Sequence, residues 1–175
     1  YDNAYLSTSF NGSWNTVYSG LVPDIDAMIE AGAASESWIH VGAGKILKGY
    51  ALQMLVDKHG AIPYSEAWQG TANLSPVVDD AQSVYAAIEG LYDEAIADLN
   101  KTAIGAPGVD IFYGSDKSKW ITLANTLKFR LALNEGNSGK IAAALSAGVI
   151  DEKSEDWVFQ YGSNRQNPCL LYTSD

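Results

Sequence analysis

Apolar residues between Ser37 and Trp68 recur in steps of three and four: Ile39, Ala43, Ile46, Leu47, Tyr50, Ala51, Met54 and Leu55. That spacing is one face of an α-helix, so the pattern predicts an amphipathic helix with a single buried stripe, ending at His59-Gly60. Gly60 reaches the left-handed conformation that closes a helix, and Pro63 prevents its resumption. The chain leaves through Ile62-Pro63-Tyr64 into a loop that carries Trp68.

The rest of the chain repeats the same grammar. Trp14, Val17, Tyr18, Leu21, Val22, Ile25, Met28 and Ile29 predict an earlier helix up to Ala31, preceded by a polar loop over Tyr1 to Ser13. Pro23 lies inside that run and begins a new first turn or kinks the helix. Gly32 to Glu36 reads as a connector, with Ser35 or Ser37 as N-cap of the organising helix. After a polar loop to Pro76, Asp79 and Gln82 have the spacing of a capping box. Behind them Val84, Ile88, Leu91, Ala95 and Leu99 line one helical face, flanked by Tyr85, Tyr92 and Ile96. A Gly- and Pro-containing loop, Thr102 to Lys117, leads to a helix from Ser118 to Asn134, with Trp120, Leu123, Ala124, Leu127 and Leu131 inward. Asp116 or Ser118 caps it and Gly136 follows its end. Ser138 to Ala147 forms a shorter helix stopped by Gly148. Val149 to Asp175 is irregular, with a short strand expected at Trp157-Val158-Phe159.

The fold class is therefore all-α. Long helices joined by loops imply antiparallel pairs, and Leu47-Lys48-Gly49-Tyr50 with Tyr92-Asp93-Glu94-Ala95-Ile96 has tetratricopeptide character. Small residues at Gly49 and Ala95 permit close approach of paired helices. The loops exceed those of the usual 34-residue repeat, giving an irregular tetratricopeptide-like helical repeat scaffold with long functional loops.

Charge narrows the function. Eleven basic against 21 acidic residues give a net charge of −10 over 175 residues. Nucleic acid and polybasic membrane contacts need clustered Lys and Arg, so neither is expected as a partner. A single cysteine, Cys169, excludes an internal disulfide framework and a thiolate metal cluster. No apolar run is long enough to cross a bilayer as a helix.

Candidate chemistry is sparse. No HExxH, GxSxG or P-loop pattern occurs, and no cofactor is expected. His40 and His59 are the only histidines, and His59 falls in a last helical turn, where the helix dipole favours a cation. Asp151, Glu152, Glu155 and Asp156 lack the ordered spacing of a calcium loop and read as a solvated run. Glu66 or Asp110 is the only proposal for a glycosidase carboxylate, and carboxylate separation is a spatial property that sequence does not give. Aromatic residues say more. Tyr5, Tyr64, Trp68 and Tyr113 fall in predicted loops, where flat rings suit the apolar faces of sugars and neighbouring Asn, Gln and Asp suit hydroxyls. The competing reading packs each ring over a helix end. Trp14, Trp38 and Trp120 lie on helical stripes and are assigned to the core.

These segments resemble a known family. GKILKGYALQMLVDKHGAIPYSEA (Gly44–Ala67), SVYAAIEGLYDEAIADLNK (Ser83–Lys101) and YGSDKSKWITLANTLKFRLA (Tyr113–Ala132) are similar, in order and spacing, to three helical motifs of the SusD/RagB family. Trp14-Asn15-Thr16-Val17-Tyr18 resembles the start of the family's first helix. Lys48 stands where the family usually has Arg, and His59 replaces a Tyr. The resemblance covers about Trp14 to Phe159. It implies a tetratricopeptide-like scaffold over residues 1–160, incomplete because family chains are much longer, and an irregular tail over 161–175. Pro168 to Asp175 does not resemble a continuation of the family and reads as a sequence-assembly scar.

The resemblance further implies a non-catalytic lipoprotein on the outer-membrane surface, lipid-anchored through an N-terminal segment that this chain lacks. Such a protein captures an oligosaccharide or peptide ligand and acts as the lid of a TonB-dependent SusC-like outer-membrane transporter. A tetratricopeptide-type adaptor that binds peptide segments of other proteins is the alternative.

Overall fold

The computed structural model describes residues 11–102, 109–162, 164 and 166–167. They build an all-helical stack. A helical run opens with α1 (Asn11–Asn15), passes through a π-helical stretch (Thr16–Leu21) and continues as α2 (Val22–Ala34). Then follow α3 (Trp38–His59), α4 (Ala81–Leu99), α5 (Lys117–Glu135) and α6 (Ser138–Ala147). Each helix from α2 to α6 packs on the next in sequence, and α3 also reaches α5. This is the neighbour-on-neighbour packing of a tetratricopeptide-like scaffold.

Three boundaries differ from the sequence reading, each for a local reason. Asn11 to Ser13 and Gly32 to Ala34 are helical, so the first helix is longer at both ends than the apolar pattern suggests. Pro23 stands in the first turn of α2, as the sequence reading expects, yet the chain runs on without a break, because Asn15, Leu21 and Val22 all keep right-handed helical dihedrals. The run instead widens into π-helix just before it, and the Val22 N–H bonds the Val17 carbonyl, five residues back. A proline ring clashes with the carbonyl four residues earlier, and a wider turn relieves that clash. At α4 the N-cap is Asp80 rather than Asp79, with its carboxylate accepting from the Ser83 N–H at 3.0 Å and the Ser83 hydroxyl at 2.5 Å. Asp79 is engaged elsewhere. Trp157 to Phe159 forms no strand.

Other caps follow the sequence. Asp116 and Asn137 accept from the Ser118 and Lys140 amides, and Gly136 takes the left-handed conformation with φ 66°. Ser37 is the N-cap of α3, although its hydroxyl meets His40 Nδ1 at 2.7 Å instead of a backbone amide.

The core lies around α3. Ala43, Ile46, Ala51, Leu52, Leu55 and Val56 join Val84, Ile88, Tyr92 and Leu99 of α4, with Trp120, Leu123, Leu127 and Leu131 of α5. The apolar spacing predicts one stripe on α3, but the helix is buried on more than one face. Val41, Gly42, Gly44, Gly49, Leu52 and Gln53 are also buried. Glycines make that possible. A Cβ at Gly49 would sit 2.5 Å from Tyr92 Cε1, one at Gly42 2.4 Å from Leu99 Cγ, and one at Gly44 2.7 Å from Ile29 Cγ1. Gly42 and Gly49 are seven residues apart, as are Tyr92 and Leu99, so two close approaches repeat along one antiparallel seam.

Ion pairs tie the seams at their edges. Lys45 of α3 meets Glu94 at 2.7 Å and Asp98 at 2.8 Å on α4, while Lys128 of α5 pairs with Asp93. Asp57, at the end of α3, accepts from the Tyr85 hydroxyl at 2.6 Å, Asn134 at 3.1 Å and Arg130 at 3.3 Å, joining three helices.

Candidate functional site

The loop that leaves α3 is built around Asp79. Ile62 and Asp79 exchange backbone hydrogen bonds as an antiparallel bridge, at 3.1 and 3.0 Å. The Asp79 carboxylate then accepts from the Tyr64 N–H at 2.8 Å, the Ser65 N–H at 2.9 Å and the Ser65 hydroxyl at 2.8 Å. Glu66 closes a second ring inside, accepting from Asn73 Nδ2 at 2.9 Å and the Val77 N–H at 3.2 Å. A carboxylate with several donors favours its charged form, and the Ser65 amide and hydroxyl hold Asp79 below the usual carboxylate value of 3.8.

This fixes the sign of a pH effect. Asp79 stabilises the loop fully well above its unfolded value of 3.8; that contribution declines as pH falls through 3.8 and disappears below the lower folded value. In Asp79→Ala we expect the Tyr64 and Ser65 amides to exchange faster at neutral pH, with global stability lowered by about 1 kcal/mol at most, because the carboxylate is exposed. Amide exchange at pH 7 and pH 3 checks this: the difference between variant and parent should shrink at the lower pH.

Trp68 stands at the far side of the loop with φ 60°, in the left-handed region that a bulky side chain rarely adopts. Its ring stacks on Tyr18 at 5.2 Å with an 18° interplanar angle, and its indole N–H donates to the Tyr18 carbonyl at 3.0 Å. Tyr18 in turn lies 4.7 Å from Trp14, and Trp14 meets the edge of His59 at 5.1 Å. On α3, Lys48 places its Nζ 5.4 Å from the Trp68 ring centroid while bonding both Asp26 oxygens, at 2.7 and 2.9 Å. The result is a half-buried row, Trp14–Tyr18–Trp68, flanked by one cation.

Tyr64 is half-buried beside this row. Burial pushes its phenol up, with the charges of Glu94, Asp26 and Asp79 adding to the effect. Tyr18 is pushed up to about 12, by burial first and Asp79 second. Both phenols therefore stay protonated, and Tyr18 donates to the Pro63 carbonyl at 2.6 Å.

Tyr113 belongs to a different group. It sits edge-on to Trp120 at 5.3 Å and donates to the Glu155 carbonyl at 2.9 Å. Asp110 organises that loop much as Asp79 organises the other, accepting from Trp120 Nε1 at 2.7 Å and from the Phe112, Tyr113 and Ser115 amides. Burial raises Asp110, but these donors outweigh it and hold the carboxyl below its usual range. Glu66 and Asp110, the two candidates for a glycosidase carboxylate, are thus both structural acceptors inside loops.

The structure brings Tyr64 and Trp68 together on one loop and sets Tyr113 in the separate cluster with Phe112, Trp120 and Trp157. Tyr5 lies outside the described residues. All three described rings pack back onto the scaffold. Sequence reading misses Tyr18 and Lys48 as partners of Trp68, and Asp26 as the carboxylate that holds Lys48. Tyr18 sits four residues after Trp14, a helical spacing that places their rings on one face and is the one signal that points to it.

Two clefts open on the described surface, the first beside the Asp110–Trp120 group and the second away from both aromatic groups, at the start of α4. An apolar one of ≈ 270 Å³ lies between Met28, Leu47 and Phe112, and a polar one of ≈ 490 Å³ between Gln82, Tyr85, Asn137 and Lys140. Among the described residues no group of three His, Cys, Asp or Glu side chains is arranged to hold a metal ion. No described helix is long and apolar enough to cross a membrane.

Comparison with known structures finds the same scaffold. A chitin-binding protein shares 26% identity at a TM-score of 0.75, over 89% of this chain and 35% of the other. A SusD-like protein from Bacteroides thetaiotaomicron shares 26% identity at a TM-score of 0.72, over 87% and 33%. A second protein from that organism, of the SusD/RagB family, superimposes over 98% of this chain at a TM-score of 0.80 and 24% identity. This chain covers 38% of that one, so it spans about a third of the length of these relatives. A comparison with curated proteins finds no match. A family model described as SusD-like, starch-binding and associating with the outer membrane matches residues 2–174. With almost the whole sequence matched and the helical stack shared, the chain belongs to the SusD-like family.

Proposed function

We propose that the chain forms part of a cell-surface protein that captures oligosaccharides and delivers them to a TonB-dependent SusC-like transporter. The observation that carries this reading is membership, over residues 2–174, of a family described as starch-binding and outer-membrane-associated. The 26%-identical relative named as chitin-binding supports a glycan as ligand. The protein is lipid-anchored, and its role is binding rather than catalysis. The two candidate carboxylates for hydrolysis support the latter point, since Glu66 and Asp110 are occupied in holding loops.

Tyr64 and Trp68 are the residues proposed to contact the ligand, or the transporter beneath it, with Tyr18 completing the aromatic surface. Tyr113 is proposed as a second contact on a separate loop, and Tyr5 as a third. Aromatic faces bind sugar rings through their apolar C–H surfaces, and such anchors carry much of the affinity.

Titration of the protein with soluble starch and chitin oligosaccharides tests the reading. Trp68→Ala is expected to weaken retention by roughly tenfold or more, the loss typical of an aromatic anchor. Binding to neither polysaccharide would overturn the glycan reading, and equal binding by parent and variant would remove Trp68 from the contact surface.

A further inference from the structure

We propose that Pro23 is a positioning residue for Trp68, acting through the carbonyl of Tyr18; this rests on the reading that the Trp68 loop is a contact surface. In an ordinary helix a carbonyl accepts from the amide four residues on, and in a π-turn from the fifth. For Tyr18 those residues are Val22 and Pro23. The Val22 N–H is directed to the Val17 carbonyl, and Pro23 has no N–H. The Tyr18 carbonyl is left without either helical donor. A partly buried carbonyl needs a partner, and the Trp68 indole supplies it at 3.0 Å from a position fifty residues away.

The same tyrosine holds the loop three ways. Its carbonyl takes the Trp68 indole, its ring stacks on the Trp68 ring, and its hydroxyl donates to the Pro63 carbonyl at 2.6 Å. These contacts fall at the beginning and the far side of the loop. They help to keep Trp68 at its left-handed φ of 60°, a conformation that costs a tryptophan energy and persists only where its surroundings over-determine it. Asp79 fixes the loop's base, while the carbonyl released by Pro23 fixes the orientation of its aromatic tip.

Pro23→Ala tests this without removing any group that touches Trp68. An amide at position 23 restores a donor to the helix. In the π register it faces the Tyr18 carbonyl; if the turn relaxes to α-helix, Val22 serves that carbonyl instead. Either way the indole meets a competitor. The readout is the indole N–H resonance of Trp68, assigned by its loss in Trp68→Phe, with the Trp120 indole bonded to Asp110 as internal control. We expect the Trp68 signal to shift and its hydrogen exchange to quicken on the order of fivefold, with Trp120 unchanged. An unaltered Trp68 indole in a folded Pro23→Ala protein overturns the proposal. A shifted indole with undiminished retention of starch and chitin oligosaccharides leaves the latch standing and overturns Trp68 as the ligand contact. The two failures are therefore separable.

Discussion

Gly49→Val is expected to lower the stability of the scaffold by roughly 3 kcal/mol, equivalent to a fall of about 6 to 12 °C in thermal midpoint for a domain of this size. The ring of Tyr92 occupies the space where a side chain at position 49 would begin, with Cε1 at 2.5 Å and Cζ at 2.9 Å from the point a Cβ would take. Tyr92 cannot swing away. It is fully buried at 0% exposure within the core cluster, and its hydroxyl reaches the buried Gln53 Oε1 at 3.4 Å. Valine gains a few tenths of a kcal/mol in helix propensity over glycine, too little to offset overpacking of about 1–3 kcal/mol plus displacement of a buried aromatic. Gly90 of α4 supplies the control, since a Cβ there meets nothing within 4 Å. Gly90→Ala should stabilise by about 0.5–1 kcal/mol, the usual gain from replacing a helical glycine. Chemical denaturation of both variants checks the pair: opposite signs are expected, and a Gly49→Val midpoint equal to the parent's would mean that α3 and α4 do not meet at Gly49.

The same seam explains what the sequence could reveal. Helices α3 to α6 are legible because their apolar positions repeat at the helical period and their ends carry Asp, Asn and Gly in capping positions. Gly49 is also legible as a point of close approach. The second buried face of α3 is not, because Gly42, Gly44 and Gln53 carry no hydrophobic signal even though all three are buried. On α4 the pattern puts Leu91 in the stripe, whereas the fully buried residue is Tyr92, admitted by the glycine opposite. An absent side chain shapes a core as surely as a large one, and hydropathy does not register it.

The candidate site is legible in outline only. The exit from α3 through Pro63 and Tyr64 to Trp68 reads as a loop in the sequence and is one in the structure. That Trp68 turns inward depends on a carbonyl left without a helical donor near Pro23 and on a carboxylate at Asp79, both distant in sequence. Asp79 and Asp80 look interchangeable as caps along the chain. They separate only in space, where Asp79 meets Ser65 and Asp80 meets Ser83. Tyr113 and Tyr64 likewise look equivalent as loop tyrosines, and the fold sends them to different aromatic groups.

Trp120→Ala is expected to cost about 3–5 kcal/mol, the range for emptying the space of a large buried aromatic. Trp120 is 1% exposed and lies under the loop that carries Asp110 and Tyr113. Phe112 and Tyr113 both meet its ring edge-on, at 6.0 and 5.3 Å, so the ring supports the loop as well as the helix stack. Trp120→Phe separates packing from hydrogen bonding. Much of the ring remains, but Asp110 Oδ2 loses its 2.7 Å indole donor and keeps the Ser115 amide at 3.1 Å. We expect Trp120→Phe to cost about 1–2 kcal/mol at neutral pH, as for a part-buried hydrogen bond to a charged acceptor. The sign of its pH dependence follows from Asp110, whose folded carboxyl is held below the unfolded 3.8. The stabilisation it reports is complete well above 3.8 and fades as pH falls through the lower folded value, when the carboxylate takes up a proton. Urea titrations at pH 7 and near pH 3 should therefore show the gap between Trp120→Phe and the parent narrowing in acid, while the deficit of Trp120→Ala remains large at both. A gap that stayed constant with pH would assign the cost to packing alone and sever the indole from the positioning of the Asp110 loop.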